Sequence, residues 1–264
     1  MTDHQPSDHV LVSPRYLAGQ GDPGTVLRPL VHVHEFQHQQ DDVRLTATSQ
    51  CGQVQVAFEP NMPYLWRVSV RRDPAEERPH WQAHFSLYTP AELIAALTQA
   101  LAADLYTRRA DLTIERTASP TTAWRPLAKA SWHLSEADDT TTLVSPERRL
   151  AFRHSFTPPG QKTSPGCDSD VWDAECDFGM YMSERWRGRF SQNTPMRYLH
   201  LFTANLASPT PVPRARAELP AASLPLVTLR PANPRSGMRP FSAVELAGAM
   251  FNPRHPTHGN LSHH

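Results

Sequence analysis

Two groups of side chains in this sequence have types and spacings suited to chemistry. The first is His34-Glu35-Phe36-Gln37-His38, a match to H-E-x-x-H. On a helix, histidines four residues apart share a face and can hold zinc, with the glutamate as general base. Glu59 is the nominal third ligand. The flanks speak against this reading: Gln39-Gln40-Asp41-Asp42 follow at once, too polar for a buried metal-binding helix, and no H-x-x-G-x-x-H extension comes after. The corresponding stretch of the second half, Ser131-Trp132-His133-Leu134-Ser135, cannot ligate in the same way. In a chain with 14 histidines a chance match is expected on the order of a few per cent of the time, a risk every motif search carries. His34, Glu35 and His38 are therefore read as a fortuitous match, and the chain as non-enzymatic and without a cofactor.

The second group is cationic. Arg185, Arg187 and Arg189 alternate with Trp186, Gly188 and Phe190, so the guanidiniums leave one face of a strand and the apolar groups the other. Such a column can track phosphates. The preceding segment offers Asp173, Glu175 and Asp177 at the same period, placed for cross-strand ion pairs that would cancel most of the field. In the first half, Arg67, Ser69 and Arg71, then His80, Gln82 and His84, alternate likewise with no acid opposite. That face gains charge below about pH 6.5 as histidines protonate. The candidate binding residues are thus Arg67, Arg71, His80, Gln82, His84, Arg185, Arg187 and Arg189. An acidic protein segment or single-stranded nucleic acid would suit them. There is no Walker loop, dinucleotide fingerprint or nucleophile elbow. Cys51 opens a turn with no evident base beside it.

What must position these residues is a unit written twice. Trp81 to Ala102 and Trp186 to Ala207 align without a gap, with Trp81/Trp186, Phe85/Phe190, Ser86/Ser191, Thr89/Thr194, Pro90/Pro195 and Thr98/Thr203 identical. Upstream, Arg28-Pro29-Leu30 returns as Arg125-Pro126-Leu127. Proline suits a first helical turn, where its missing N–H is no loss, so short helices are expected over 29–38 and 126–134. Strands follow where apolar residues alternate with polar ones: Val54 and Val56, or Leu150 and Phe152; then Trp66, Val68 and Val70, or Trp172, Ala174 and Cys176. Trp81, Ala83 and Phe85, with Trp186, Gly188 and Phe190, make the last strand of each copy. All four strand tryptophans fall in phase with the apolar residues and are expected in the core. Each copy closes with a helix: Thr89, Pro90 and Glu92 read as a capping box, and Ile94, Leu97 and Leu101 form an apolar stripe.

The residues of this repeat, with Ser145-Pro146-Glu147 and the looser Ser49-Gln50-Cys51-Gly52 as strand starts, resemble the SPDY domain. That is an actinobacterial domain of unknown function commonly present in two copies. The resemblance spans about residues 9–210 and departs from the pattern at Gln50, in place of proline, and Arg148, in place of glycine. It implies a fold and no activity.

Lys+Arg and Asp+Glu balance at 26 each, so no global field draws the chain to nucleic acid or membrane. Three cysteines without a CxxC pair suit a reducing compartment, and a cytoplasmic protein without membrane partners is expected. The fold expected is α+β: two tandem repeats, each a short helix, a four-stranded antiparallel sheet and a longer helix packed on one face, related by a pseudo-twofold axis. Residues 1–24 form an N-terminal segment, 25–108 the first repeat and 109–207 the second. Residues 208–264 read as a Pro-rich linker and arm, with a short helix at 242–251 whose Val244, Ala247 and Phe251 would dock on a partner. The expected role is a non-catalytic binding module with a protein partner, using the sheet face of the first repeat, the 157–170 insertion or the 241–252 segment of the arm. Single-stranded nucleic acid on the sheet face is the alternative, and a zinc hydrolase using His34, Glu35 and His38 the second alternative.

Overall fold

The computed structural model describes residues 9–41, 43–107, 112–113, 119–137, 140–155, 170–179 and 185–232. The 157–169 insertion and Val244, Ala247 and Phe251 lie outside them. The chain is α+β. After β1 (His9–Ser13) come α1 (Gly24–His32), β2 (Gln37–Gln40), β3 (Leu45–Thr48), β4 (Val54–Phe58), β5 (Trp66–Val70), β6 (Trp81–Phe85) and α2 (Ala91–Thr107). The series then runs again: α3 (Thr121–Lys129), β7 (His133–Ala137), β8 (Thr140–Val144), β9 (Leu150–Ser155), β10 (Asp170–Asp177), β11 (Arg185–Ser191) and α4 (Met196–Leu206). Two strands, β12 (Val212–Ala215) and β13 (Thr228–Pro231), finish the described chain.

Among the described residues each half therefore contributes five strands rather than four, and they do not form separate sheets. One antiparallel sheet of ten strands runs in the order β2-β3-β4-β5-β6-β11-β10-β9-β8-β7, joined in the middle where β6 pairs with β11. The strands missed in the sequence are the edge hairpin partners β2 and β7. Their residues, QHQQ and HLSEA, are exposed on both faces, so no apolar alternation marks them.

Helices α1 to α4 pack together on one face of this sheet. The inward register of the strands supplies the other half of the core. Trp66, Trp81 and Trp172 are each 1% exposed and Trp186 0%, while Leu93, Ile94, Leu97 and Leu101 of α2 and Leu199, Phe202 and Leu206 of α4 lie in the same cluster. A single core spans both halves, as a two-layer architecture requires.

The two strand starts that carry the repeat share one turn. Gly52 N–H donates to Ser49 O and Arg148 N–H to Ser145 O, each at 2.8 Å. Ser49 Oγ accepts from Val54 N–H at 3.0 Å, and Ser145 Oγ from Leu150 N–H at 3.1 Å. Gly52 and Arg148 both have left-handed backbone, φ 73 and 57. Arg148 keeps the geometry that glycine adopts more cheaply.

Three local expectations are corrected. The short helices are Gly24–His32 and Thr121–Lys129, so Pro29 and Pro126 lie inside them rather than opening them. Thr89 and Glu92 make no capping box: Thr89 Oγ donates to Ser86 O at 2.9 Å, and Glu92 turns away to Arg214. Nor is the described part of the segment after Ser208, to residue 232, a linker. β12 and β13 flank β1 in a second, three-stranded sheet.

Arg214 of β12 fastens that sheet down. Its guanidinium is 3% exposed and meets both Glu92 oxygens at 2.7 Å, with Ala18 O at 3.1 Å and Gly19 O at 3.2 Å. A Cβ on Gly21 would lie 2.6 Å from its Cζ, on backbone of φ 69, so glycine is required there. Arg15 ties the same end to α4 through Asn205 and Ser208, both at 2.9 Å.

Candidate binding face

The H-E-x-x-H residues do not come together on a helix. The helix expected to carry them ends at His32; His34 and Glu35 lie in the turn that follows, Glu35 with φ 54, and His38 belongs to edge strand β2. Glu35 accepts from Gln50 Nε2 at 3.1 Å. The left-handed residue breaks the i, i+4 geometry on which the zinc reading rested. Glu59, the nominal third ligand, is engaged elsewhere. Among the described residues no three His, Cys, Asp or Glu side chains gather to hold a metal ion.

The cationic residues do share one surface. With the tryptophans turned inward, the alternate residues of β3 to β11 face away from the helices. Register fixes their neighbours: Arg67 of β5 stands opposite His84 of β6, His84 opposite Arg189 of β11, Arg189 opposite Asp173 of β10, and Asp173 opposite Arg153 of β9. One row thus crosses five strands and both halves. Ser69 and Gln82 are paired beside it. Arg71 and His80 stand at the end of the β5–β6 hairpin, where His80 Nε2 lies 3.1 Å from Thr113 O and 3.3 Å from Arg72.

On β10 and β11 the expected cross-strand ion pairs are present. Arg187 meets Glu175 at 2.9 Å and Asp173 at 3.5 Å; Arg185 meets Asp177 at 2.9 Å; Arg189 meets Asp173 at 3.6 Å. Arg153 joins from β9, 2.9 Å from Glu175 and 3.4 Å from Asp173. Burial pushes Asp173 up from the usual carboxylate range even among these arginines. Burial acts on Glu175 too, but bonds from Arg153 and Arg187 outweigh it and hold its carboxyl low. Arg187 is held more firmly protonated, since Asp173 and Glu175 overcome its desolvation.

The first half departs from expectation, because it does have an acid. Glu59 continues the outward register past β4 and meets Arg44 at 2.8 Å and Arg67 at 2.9 Å. Extending the Gln55, Ala57, Glu59 alternation by one step would have found it. Tyr64, also unforeseen, leans in from the loop between β4 and β5. Its ring lies edge-on to His84 at 5.7 Å, and its phenol reaches Arg187 across the join. The face still carries a surplus. Arg44, Arg67, Arg71 and Arg149, with Arg153, Arg185, Arg187 and Arg189, hold outward register against Asp41, Glu59, Asp173, Glu175 and Asp177. The paired arginines remain accessible: the side chains of Arg67, Arg187 and Arg189 are 37%, 43% and 38% exposed.

The join itself has reciprocal bonds. Arg187 N–H donates to Ser86 Oγ at 2.7 Å, and Gln82 N–H to Ser191 Oγ at 2.9 Å. Ser86 and Ser191 are counterparts in the repeated stretch, and so are Gln82 and Arg187.

Beneath the face, His154 of β9 points into the core. It stacks on Trp172 at 3.9 Å and 17°, and burial lowers its pKa to about 4. An unfolded histidine titrates near 6.5. As pH falls from about 6.5 to about 4, the unfolded chain takes up a proton that the native chain refuses, so stability declines through that window and levels off below it. The full difference is about 3 kcal/mol. His154→Phe keeps a ring on Trp172 and removes the titration. Urea unfolding of the variant between pH 7 and 4 should therefore lose about 3 kcal/mol less than the parent chain loses.

Residues 48–106 match the family model of the SPDY domain, a domain of unknown function. The match begins at the end of β3 and runs to the last turn of α2. No curated protein and no solved structure matches the chain. Among the described residues, no helix is long and apolar enough to cross a membrane.

Proposed function

We propose that this protein is a non-catalytic binding module that recognises another protein through the open face of its ten-stranded sheet. The observation that carries this reading is the charge placement. A chain with equal numbers of acidic and basic residues gathers, among the described residues, eight outward arginines against five acids on a face turned away from α1 to α4. A buried lattice for stability alone would not need its guanidiniums more than a third exposed. We also read the chain as two copies of one unit about a pseudo-twofold axis through the His84–Arg189 pair. The reciprocal serine bonds support this, as does the pairing of Ala83 with Phe190 and Phe85 with Gly188 on either side.

Single-stranded nucleic acid is the second reading, favoured by the same positive surplus. Strand binders of that kind stack bases on exposed aromatics. Here the four strand tryptophans are buried beneath the face, and the acids of β10 would stand against a phosphate chain.

A photo-reactive residue at Gln82 tests the protein reading. In living cells it should form a defined cross-linked band with another polypeptide. The same group at Tyr106, 83% exposed on α2, should not form that band. Equal bands from both positions, or none from Gln82, would remove the sheet face as the recognition surface.

A further inference from the structure

Resting on that reading, we propose that the face takes an acidic, extended segment of its partner, laid across β5, β6 and β11 with carboxylates on Arg67, His84 and Arg189. The three residues stand side by side in register, at the separation of neighbouring strands, about 4.8 Å. An extended chain crossing them at a slant presents alternate side chains every 6–7 Å or so, within reach of a guanidinium, an imidazole and a second guanidinium in turn. Glu59 and Asp173 flank this trio and already supply carboxylates to its outer arginines, at 2.9 Å and 3.6 Å. The site therefore receives carboxylate from its own fold at both ends, and the chemistry it would accept at its centre is the same. Gln82 beside His84 adds an amide able to bond a peptide backbone. Tyr64 closes one side of the central imidazole, edge-on at 5.7 Å, and gives the segment a wall to lie against. Phosphate would meet the same cations, but a nucleic-acid strand would offer bases to a surface whose indoles all face inward.

The probe is a short labelled oligoglutamate, titrated into the full chain by fluorescence anisotropy at about 50 mM salt. A glycine–serine peptide of the same length and an oligothymidylate of matched charge serve as the other arms. Oligoglutamate should bind, the neutral peptide should not, and affinity should fall as salt rises. The triple variant Arg67→Gln, His84→Gln, Arg189→Gln should bind about tenfold more weakly, each exposed charge pair supplying a fraction of that. Arg125→Gln, on the exposed side of α3, should change nothing. If the triple variant fails to fold, Gln82→Glu leaves every named ion pair intact and should still weaken oligoglutamate severalfold by like-charge repulsion. Undiminished binding in the variants, no binding by the parent chain, or tighter binding of oligothymidylate lost in the same variants would each overturn the proposal. A cross-link from Gln82 to a partner that is not acidic would overturn it while leaving the protein-binding reading in place.

Discussion

Replacing Arg214 with alanine should lower the unfolding free energy by about 3–5 kcal/mol, because it strips the partner from a carboxylate held against buried backbone. Glu92, at the start of α2, would lose its two-point partner and keep only the longer-range attraction of Arg15, and the carbonyls of Ala18 and Gly19 would lose their donors. In thermal unfolding, a chain of this size should melt roughly 10 °C lower. Arg214→Lys should recover only part of the loss, since an ammonium cannot bond both Glu92 oxygens in the fork geometry and reach two carbonyls as well. A tail that merely trails from Ser208 would lose no more than about 0.5 kcal/mol from the same change.

Truncating Phe85 or Phe190 to alanine should cost about 3–5 kcal/mol each. Both are fully buried at the join, 5.5 Å apart and edge to face, and both rest on Phe202 of α4, at 5.8 and 4.9 Å. Phe85 also closes over Gly188, where an added Cβ would come within 3.0 Å of its ring. The two rings fill one space, so the double variant should lose clearly less or more than the sum, with a coupling of about 0.5–3 kcal/mol. Denaturant unfolding of each single variant should remain one transition, because one hydrophobic cluster holds residues of both halves. Two separated transitions would show that the halves stand independently.

Much of the scaffold was legible because tryptophan and phenylalanine at period two leave little choice of face. Trp66, Trp81, Trp172 and Trp186 all lie where that period puts them, and the outward arginines follow. What the period could not supply is anything set by long-range pairing. The join of β6 to β11 depends on Ser86 and Ser191 serving each other's strands, and nothing in WQAHFS or WRGRFS distinguishes a sheet edge from a sheet centre. Edge strands β2 and β7 carry no apolar alternation and so gave no signal. The Pro-rich composition after Ser208 was read as extended chain. Val212–Ala215 and Thr228–Pro231 are indeed extended, but they pair with His9–Ser13, about 200 residues earlier. H-E-x-x-H failed for a local reason, since helix α1 starts five residues before Pro29 and has ended before His34. On the candidate face, Glu59 was within reach of the alternation argument, whereas Tyr64 sits in a loop and only the folded chain brings it to His84.

Native-state hydrogen exchange at the amides of Gln82 and Arg187 tests the continuous face most directly, because those two N–H groups bridge the halves through Ser191 and Ser86. The account predicts that both exchange only through global unfolding, with the same protection as the central amides of β5 and β10. Exchange through a lower-energy opening, with β5 and β10 still protected, would mean that β6 and β11 part readily. The row from Arg67 to Arg189 would then not exist as one surface.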